Sequence, residues 1–282
     1  MNEIDKLPIL TLYPHNRCNC RCVMCDIWKL DSKQELSAAD IARHIGDIRS
    51  LGVEWVVLSG GEPLMHGDLF ALCRLLKTCN VRITLLSTGL LLSRHAAAIA
   101  VNIDDVIVSL DGPPEVHDRI RRIHGAFDQL SEGVRALRRE RADFPVTARC
   151  TVQRWNATEM RRTVTTARDL DVRSISFLAA DVDSTAFNRP LGLDVVRREG
   201  LTPDPAALHN EVETLIAEHA EEIASGFIAE SPEKLRRIVR HFRDESHAPK
   251  CNAPWVSAVV ESNGDVRPCF FQPSSATSII SR

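Results

Sequence analysis

Cys18, Cys20, Cys22 and Cys25 fall within one short stretch, RCNCRCVMCDIW over residues 17–28. Cys18, Cys22 and Cys25 alone give C-x3-C-x2-C. Three thiolates this close can hold three irons of a [4Fe–4S] cluster and leave the fourth iron open to a substrate or cofactor, which a four-thiolate electron-transfer site cannot do. Two other readings of the spacing stay open. Zinc could take Cys20 as a fourth thiolate, although zinc sites usually pair one C-x2-C with a distant second pair. The thiols could also carry no ligand. The remaining cysteines are Cys73, Cys79, Cys150, Cys251 and Cys269, making nine, an odd number. In a chain this large, metal or redox chemistry explains the tight group better than a disulfide framework does.

Composition bounds the setting for that chemistry. The chain has 282 residues, with 35 Lys+Arg against 38 Asp+Glu and a formal net charge of −3. Hydrophobic residues are 44% and charged residues 26%, near the averages for soluble globular proteins. The length suits one large domain, or one with a small appendage. A near-neutral balance argues against a nucleic-acid partner, which needs a basic excess. No run approaches the ~20 apolar residues of a membrane span, so no membrane partner is expected. The opening MNEIDKLPILTLYPH has neither a basic n-region nor an apolar h-region. No secretory leader is expected, and the setting reads as cytoplasmic.

The elements that must position the cysteines follow from periodicity. Short apolar, β-branched runs recur at 7–13, 55–58, 82–86, 105–110, 145–152 and 174–178 and read as near-continuously buried strands. Between them, residues 37–51 place Ile41, Ile45, Ile48 and Leu51 on one helical face, with Ser37 and Asp40 as a capping box and Gly52 as the stop. Further helices are predicted over 69–77, 93–100, 127–139 and 158–170. Strand–helix alternation implies right-handed crossovers and a parallel sheet. Six β/α units stand where a closed barrel has eight. The G-x-G-x-x-G turn of a doubly wound dinucleotide fold is absent. The fold class is therefore α/β, an open partial TIM barrel (β/α)6 over 5–181. Residues 182–205, with Pro190, Gly192, Gly200, Pro203 and Pro205, read as a loop or linker. Amphipathic helices are predicted over 206–223 and 234–243, and a β-hairpin over 255–260 and 266–271 around Asn263-Gly264-Asp265. This divides the chain into 5–181, a linker and helical part 182–250, and a hairpin part 251–282.

The C-terminal ends of barrel strands are where barrel chemistry is placed. There the chain carries Ser59-Gly60-Gly61-Glu62-Pro63, then Ser87-Thr88-Gly89, then Ser109-Leu110-Asp111-Gly112 with His117-Asp118 and Arg121, then Gln153 and Asn156. Each alone is an ordinary turn or capped strand end. In order behind C-x3-C-x2-C, the set resembles the radical S-adenosylmethionine (SAM) superfamily. The resemblance implies that Cys18, Cys22 and Cys25 hold a [4Fe–4S] cluster whose open iron chelates SAM. One electron would then cleave SAM to methionine and a 5′-deoxyadenosyl radical that abstracts a substrate hydrogen atom. Gly60, Gly61, Glu62 and Pro63 match the motif that binds the SAM amino group. Ser87 and Thr88 match a stretch lining the SAM pocket, here without its frequent Asn. The resemblance also implies that Ser109 reaches the SAM carboxylate or ribose, Asp111 the substrate side, and Gln153 and Asn156 the ribose. Met24 stands where the family often has an aromatic residue near the adenine, and Cys20 is outside the pattern. Arg149 and Asp181 also lie near strand ends, on faces the pattern does not fix.

Cys251-x12-Gly264-x4-Cys269 resembles the start of a SPASM or twitch extension, which holds an auxiliary cluster in some members. Only thirteen residues follow Cys269 and none is cysteine, so the hairpin reads as a truncated extension, and a second cluster is short of the usual four ligands. Cys73, Cys79 and Cys150 read as buried apolar thiols. The resemblance further implies an electron donor such as flavodoxin or ferredoxin and a peptide or small-molecule substrate. Two other classes are a catalytically inactive scaffold of the same fold and a non-catalytic iron–sulfur or zinc-binding protein. SAM cleavage separates them from the enzyme.

Overall fold

Each apolar run forms a strand in the computed structural model, which describes residues 6–30, 34–243 and 252–271. The strands are β1 (Ile9–Leu12), β2 (Trp55–Leu58), β3 (Arg82–Ser87), β4 (Asp105–Ser109), β5 (Val146–Val152), β6 (Ile175–Ala179), β7 (Ser257–Val260) and β8 (Val266–Arg267). They form one sheet in the order β6-β5-β4-β3-β2-β1-β7-β8. Every pairing is parallel except β7 with β8. β6 and β8 are the two ends of this order, so the sheet is open, as six β/α units require. Residues 227–229 lie along the free edge of β6, where Ile175 N donates to Phe227 O and Ala229 N to Ile175 O. No helix among the described residues is long and apolar enough to cross a membrane.

β1, β2 and β5 alternate rather than being buried on both faces, whereas β3 buries Ile83, Thr84 and Leu85 in a row. β1 and β2 run half-buried then buried, and β5 alternates along its whole length. Val56, Leu58, Ile83, Leu85, Val106, Val108, Val146, Ala148, Cys150 and Val152 belong to the apolar core shared with the helices. Burying each larger side chain of that set is worth about 1.5–3 kcal/mol. Thr11, Val57, Ile107, Ser109, Arg149 and Thr151 lie on the other, half-buried face. A sheet that does not close leaves this concave face uncovered, and that is the physical reason the expected continuous burial fails.

The helices are α1 (Ala38–Ala42), α2 (Ile45–Ser50), α3 (Leu69–Lys77), α4 (Leu92–Asn102), α5 (Pro114–Arg121), α6 (Ala126–Glu140), α7 (Met160–Asp169), α8 (Val195–Leu201), α9 (Pro205–Glu218), α10 (Ala220–Ala224), α11 (Pro232–Phe242) and α12 (Ala253–Val256). The helix predicted over 37–51 is two. The Ser37–Asp40 capping box is present, but His44 leaves helical geometry at φ −112° and ψ 8°. The helix predicted over 206–223 likewise breaks at His219, at φ −116° and ψ 33°. The expected linker 182–205 contains α8, whose Asp194 side chain accepts from Arg197 N and whose Leu201 is buried. α5 was not predicted as a helix, because PEVHDRIR has few apolar residues to mark a face. Pro at its first turn and Arg119 and Arg121 in its last are its local signals. Trp255 belongs to α12 rather than to the hairpin, and β8 has only two residues. β7 pairs in parallel with β1 over Ile9↔Ser257 to Leu12↔Val260, so the hairpin extends the core sheet.

Candidate active site

β1 delivers the chain into the cysteine loop at the C-terminal edge of the sheet. The β2 turn holds that loop by backbone. Glu62 N donates to Arg17 O at 2.8 Å and Gly61 N to His15 O at 3.4 Å. A Cβ on Gly61 would lie 2.0 Å from Arg17 O, and one on Gly60, at φ +108°, 2.6 Å from His15 O. The sequence reading gave these glycines a close approach to a ligand. The close approach present is to the chain's own cysteine loop, and only glycine permits it. Pro63 opens a short 3-10 turn, with the Glu62 side chain accepting from Leu64 N.

Glu62 is fully buried. Its carboxylate accepts from Leu64 N at 3.1 Å, Thr88 N at 2.6 Å and Ser87 Oγ at 3.0 Å, and lies 2.8 Å from Thr88 Oγ1. Burial raises its pKa, and the Thr88, Leu64 and Ser87 hydrogen bonds only partly oppose that rise. Thr88 Oγ1 is also 3.1 Å from Asn19 Oδ1 in the cysteine loop. Glu62, Ser87 and Thr88 are thus one network tying the ends of β2 and β3 to that loop.

The second network ties β4 and β5 to Cys22. The C-terminal carbonyls of α5 have no helical partner and accept from the loop instead, Ile120 O from Val23 N and Arg121 O from Arg21 N, both at 3.1 Å. This seats Arg121 over the loop. Arg121 is buried, pairs with Asp111 at 2.6 Å, and its Nη1 lies 3.5 Å from Cys22 Sγ. Burial opposes the Arg121 charge, but Asp111 and then Cys22 more than offset it and raise its pKa. Asp111 has no solvent exposure and also accepts from Thr151 N at 3.0 Å. It serves Arg121 and the chain, not an open substrate space. Asn156 is spent similarly: Nδ2 donates to Asp111 O at 2.9 Å and Thr151 O at 3.1 Å, and Oδ1 accepts from Gln153 N at 2.8 Å. Gln153 Oε1 accepts from Trp155 N at 3.0 Å, while Gln153 Nε2, Arg121 Nε and His117 Nε2 are buried without a hydrogen-bond partner among the described residues.

The described cysteines are free thiols, Cys20 and Cys22 buried, Cys18 and Cys25 half-buried. Burial pushes Cys18 up to about 11 and Cys25 to about 12. Cys22 moves the other way, to about 6, because the Cys20 thiol donates to it and Arg121 sits beside it. The donor set fits an iron–sulfur cluster by its chemistry: three thiols on one loop, one drawn toward thiolate, with buried polar atoms left unpartnered nearby. Among the described residues no three His, Cys, Asp or Glu side chains already stand around a point that could hold a metal ion. Cys73 and Cys150 are buried in the core as expected, Cys79 is half-buried and Cys269 half-buried beside the hairpin. Cys251, and with it the question of a second cluster, lies outside the described residues.

Two features escaped the sequence reading. The register Ser109↔Arg149↔Ser176 puts Arg149 beside Ser109 on the concave face; the alternating burial of β5 was the signal that could have fixed this. The segment after β6 also straps the cysteine loop. Phe187 O accepts from Asp26 N at 3.1 Å, Asn188 Nδ2 donates to Asp26 O at 3.1 Å, and Arg197 forks onto the Asp26 carboxylate at 2.6 and 3.0 Å. Asp181 pairs with buried Arg189 inside this strap. Between strap and hairpin lies a cavity of about 480 Å3 lined by Tyr13, Asn16, Phe187, Arg189, Glu261 and Phe270, among others.

Residues 12–167 match the radical SAM superfamily. The chain is 33% identical over 158 residues to an AdoMet-dependent heme synthase of Methanosarcina barkeri (strain Fusaro / DSM 804), covering 54% of this chain and 45% of that one. It is 28% identical over 268 residues to a PqqA peptide cyclase of Ruegeria pomeroyi (strain ATCC 700808 / DSM 15171 / DSS-3), covering 90% of this chain and 65% of that one. It thus spans less than two thirds of either relative's length. Native anSMEcpe with bound AdoMet and Cp18Cys peptide superposes with a TM-score of 0.69 at 18% identity, covering 94% of this chain and 74% of that one. That likeness supports the open α/β fold. The chain belongs to the radical SAM superfamily.

Proposed function

We propose that this radical SAM protein cleaves SAM reductively at a [4Fe–4S] cluster held by Cys18, Cys22 and Cys25 and aims the resulting radical at a peptide or small-molecule substrate. When bound, the cluster supplies one electron that splits the SAM sulfonium to methionine and a 5′-deoxyadenosyl radical, and that radical takes a hydrogen atom from the substrate. The carrying observation is the cysteine loop itself: C-x3-C-x2-C at the C-terminal edge of an open parallel sheet, with Cys22 facing buried Arg121. Arg121, fixed by Asp111, favours Cys22 as thiolate, the form that binds iron. Gly60 and Gly61 seat the loop. Glu62 with Ser87 and Thr88 holds the adjoining strand ends, Gln153 offers its unpartnered Nε2, and Ser109 and Arg149 present polar groups from the concave face. Such a site lets the protein bind, orient and shield while the cofactors carry the chemistry.

A peptide substrate is supported by two relatives that span most of this chain, one named a peptide cyclase and one solved with a peptide. A small molecule is supported by the relative named a heme synthase. The cavity between strap and hairpin is open to either. A flavodoxin or ferredoxin would supply the electron. The test is anaerobic reconstitution with iron and sulfide, then SAM and dithionite, with 5′-deoxyadenosine measured by mass. Product from the parent and none from Cys18→Ala, Cys22→Ala or Cys25→Ala is expected, with about four irons per chain for a single cluster. A protein that binds zinc and takes up no cluster overturns the reading.

A further inference from the structure

The proposed reaction needs an electron from outside the chain, so some face must bring a donor close to the cysteines. The geometry points to the surface formed by Arg21, Trp28 and Arg122 as the docking face for an acidic one-electron carrier protein. This rests on the cluster reading above. A solvent-facing cavity of about 540 Å3 there is lined by Cys18, Asn19, Arg21, Trp28, Arg122 and Ile123. Cys18, a proposed cluster ligand, is one of its lining residues. Electron transfer falls steeply with distance, so a carrier seated here delivers to the nearest point of the cluster loop.

This surface carries two uncompensated cations beside a proposed cluster ligand. Arg21 and Arg122 are exposed, and neither has a carboxylate partner among the described residues. Among the neighbouring cations, Arg17 pairs with Glu35 and Arg121 with Asp111, while Lys29 and Arg197 share the single Asp26 carboxylate, so the surroundings add to the positive charge rather than cancel it. The chain as a whole carries −3, so this local positive face stands against a weakly acidic background. Fields of that kind steer association of an oppositely charged partner.

The face is also held firmly. Trp28 Nε1 donates to Cys25 O at 2.9 Å, and the indole lies 5.8 Å from Arg21 and 5.4 Å from Lys29. Arg21 N is fixed to Arg121 O at the end of α5. Arg122 closes that helix in the left-handed region at φ 56°, where Gly or Asn is the easier residue.

The experiment uses the reconstituted protein and a reduced bacterial flavodoxin as the probe. Its anionic hydroquinone gives up one electron and becomes the neutral semiquinone, and the cluster gains that electron, with no proton or bond change required. Reduction is followed by loss of cluster absorbance, with dithionite as the parallel reductant, and binding of oxidised flavodoxin is measured at low and high salt. The double variant Arg21→Glu/Arg122→Glu should lose tenfold or more in flavodoxin affinity and in the flavodoxin-driven rate. It should also lose their salt dependence while keeping the parent rate with dithionite. Arg122→Asn, which suits the backbone, should show a smaller loss of the same kind. Parent-like, salt-dependent binding by the double variant overturns the proposal. An equal loss with dithionite also overturns it, since the arginines would then belong to the cluster site. A parent that gives no product with dithionite fails the functional reading instead, and the binding arm still decides the docking face.

Discussion

The two networks beneath the cysteine loop are built from the same parts and finished differently. At the ends of β2 and β3, Glu62 has four donors around its carboxylate and stands apart from any ion pair. At the ends of β4 and β5, Asp111 neutralises a buried arginine, and three buried polar atoms near it lack partners. The closed network is a fastening, with every group satisfied inside the chain. The open one retains hydrogen-bonding capacity that only a ligand or water can use, and it alone reaches a cysteine sulfur. In native proteins, unsatisfied buried groups are few and tend to mark sites.

The largest expected effect comes from breaking the open network at its charge. Asp111→Ala strands Arg121 as a buried cation, which destabilises by about 3–5 kcal/mol. A large fall in Tm by calorimetry is expected; a fall no greater than that of an exposed Asp→Ala control would show that Asp111 does not hold Arg121.

Acid separates the two networks by sign. Burial pushes His117 down to about 3, so below the ordinary value near 6.5 the unfolded chain takes up a proton that the folded chain refuses. Stability on this account falls as pH drops from 6.5 toward 3, by roughly 3 kcal/mol at pH 4. Glu62 acts oppositely: its raised pKa means the folded chain holds a proton more tightly, so its contribution falls as pH rises through that raised value. Urea midpoints across pH 4 to 7 should flatten in His117→Asn and steepen in Glu62→Gln. Unchanged slopes in both variants would remove the contrast.

At neutral pH Glu62→Gln should destabilise by only ~1–2 kcal/mol, because one backbone donor loses its acceptor while a buried charge is relieved. The same urea titrations at pH 7 measure it, and a loss comparable to that of Asp111→Ala would make the two networks alike. The smallest effect on folding is expected from Gln153→Met. Its Nε2 has no partner to lose, and only the hydrogen bond that its Oε1 accepts from Trp155 N is given up, so stability should fall by about 1 kcal/mol or less. On the proposed reading SAM affinity by equilibrium dialysis should nonetheless fall several-fold, and unchanged affinity would take Gln153 out of the site.

The strands were legible in the sequence because β-branched apolar runs carry their own boundaries. The cysteine loop was legible because its spacing is local. What was not legible is contact across long separations. Arg121 reaches Cys22 across 99 positions, and nothing near either residue announces the other. Gly61 requires the absence of a side chain, but the sequence does not say that Arg17 O is what a side chain would strike. Helical periodicity continues through the breaks at His44 and His219, so neither shows in the sequence.

The pairing of β7 with β1 also sets an order of assembly. Leu12 and Val260 are register partners, so the strand that launches the cysteine loop keeps one bare edge until residues 257–260 have been made. Asn16 Nδ2 then donates to Ser262 Oγ at 3.0 Å, across 246 positions. Contacts of such long sequence separation form late in folding, and a bare strand edge is a template for mispairing in the meantime. Metal loading of the loop before β7 is made would therefore meet a half-built frame, and the cysteines stand on a finished sheet only once β7 has paired with β1.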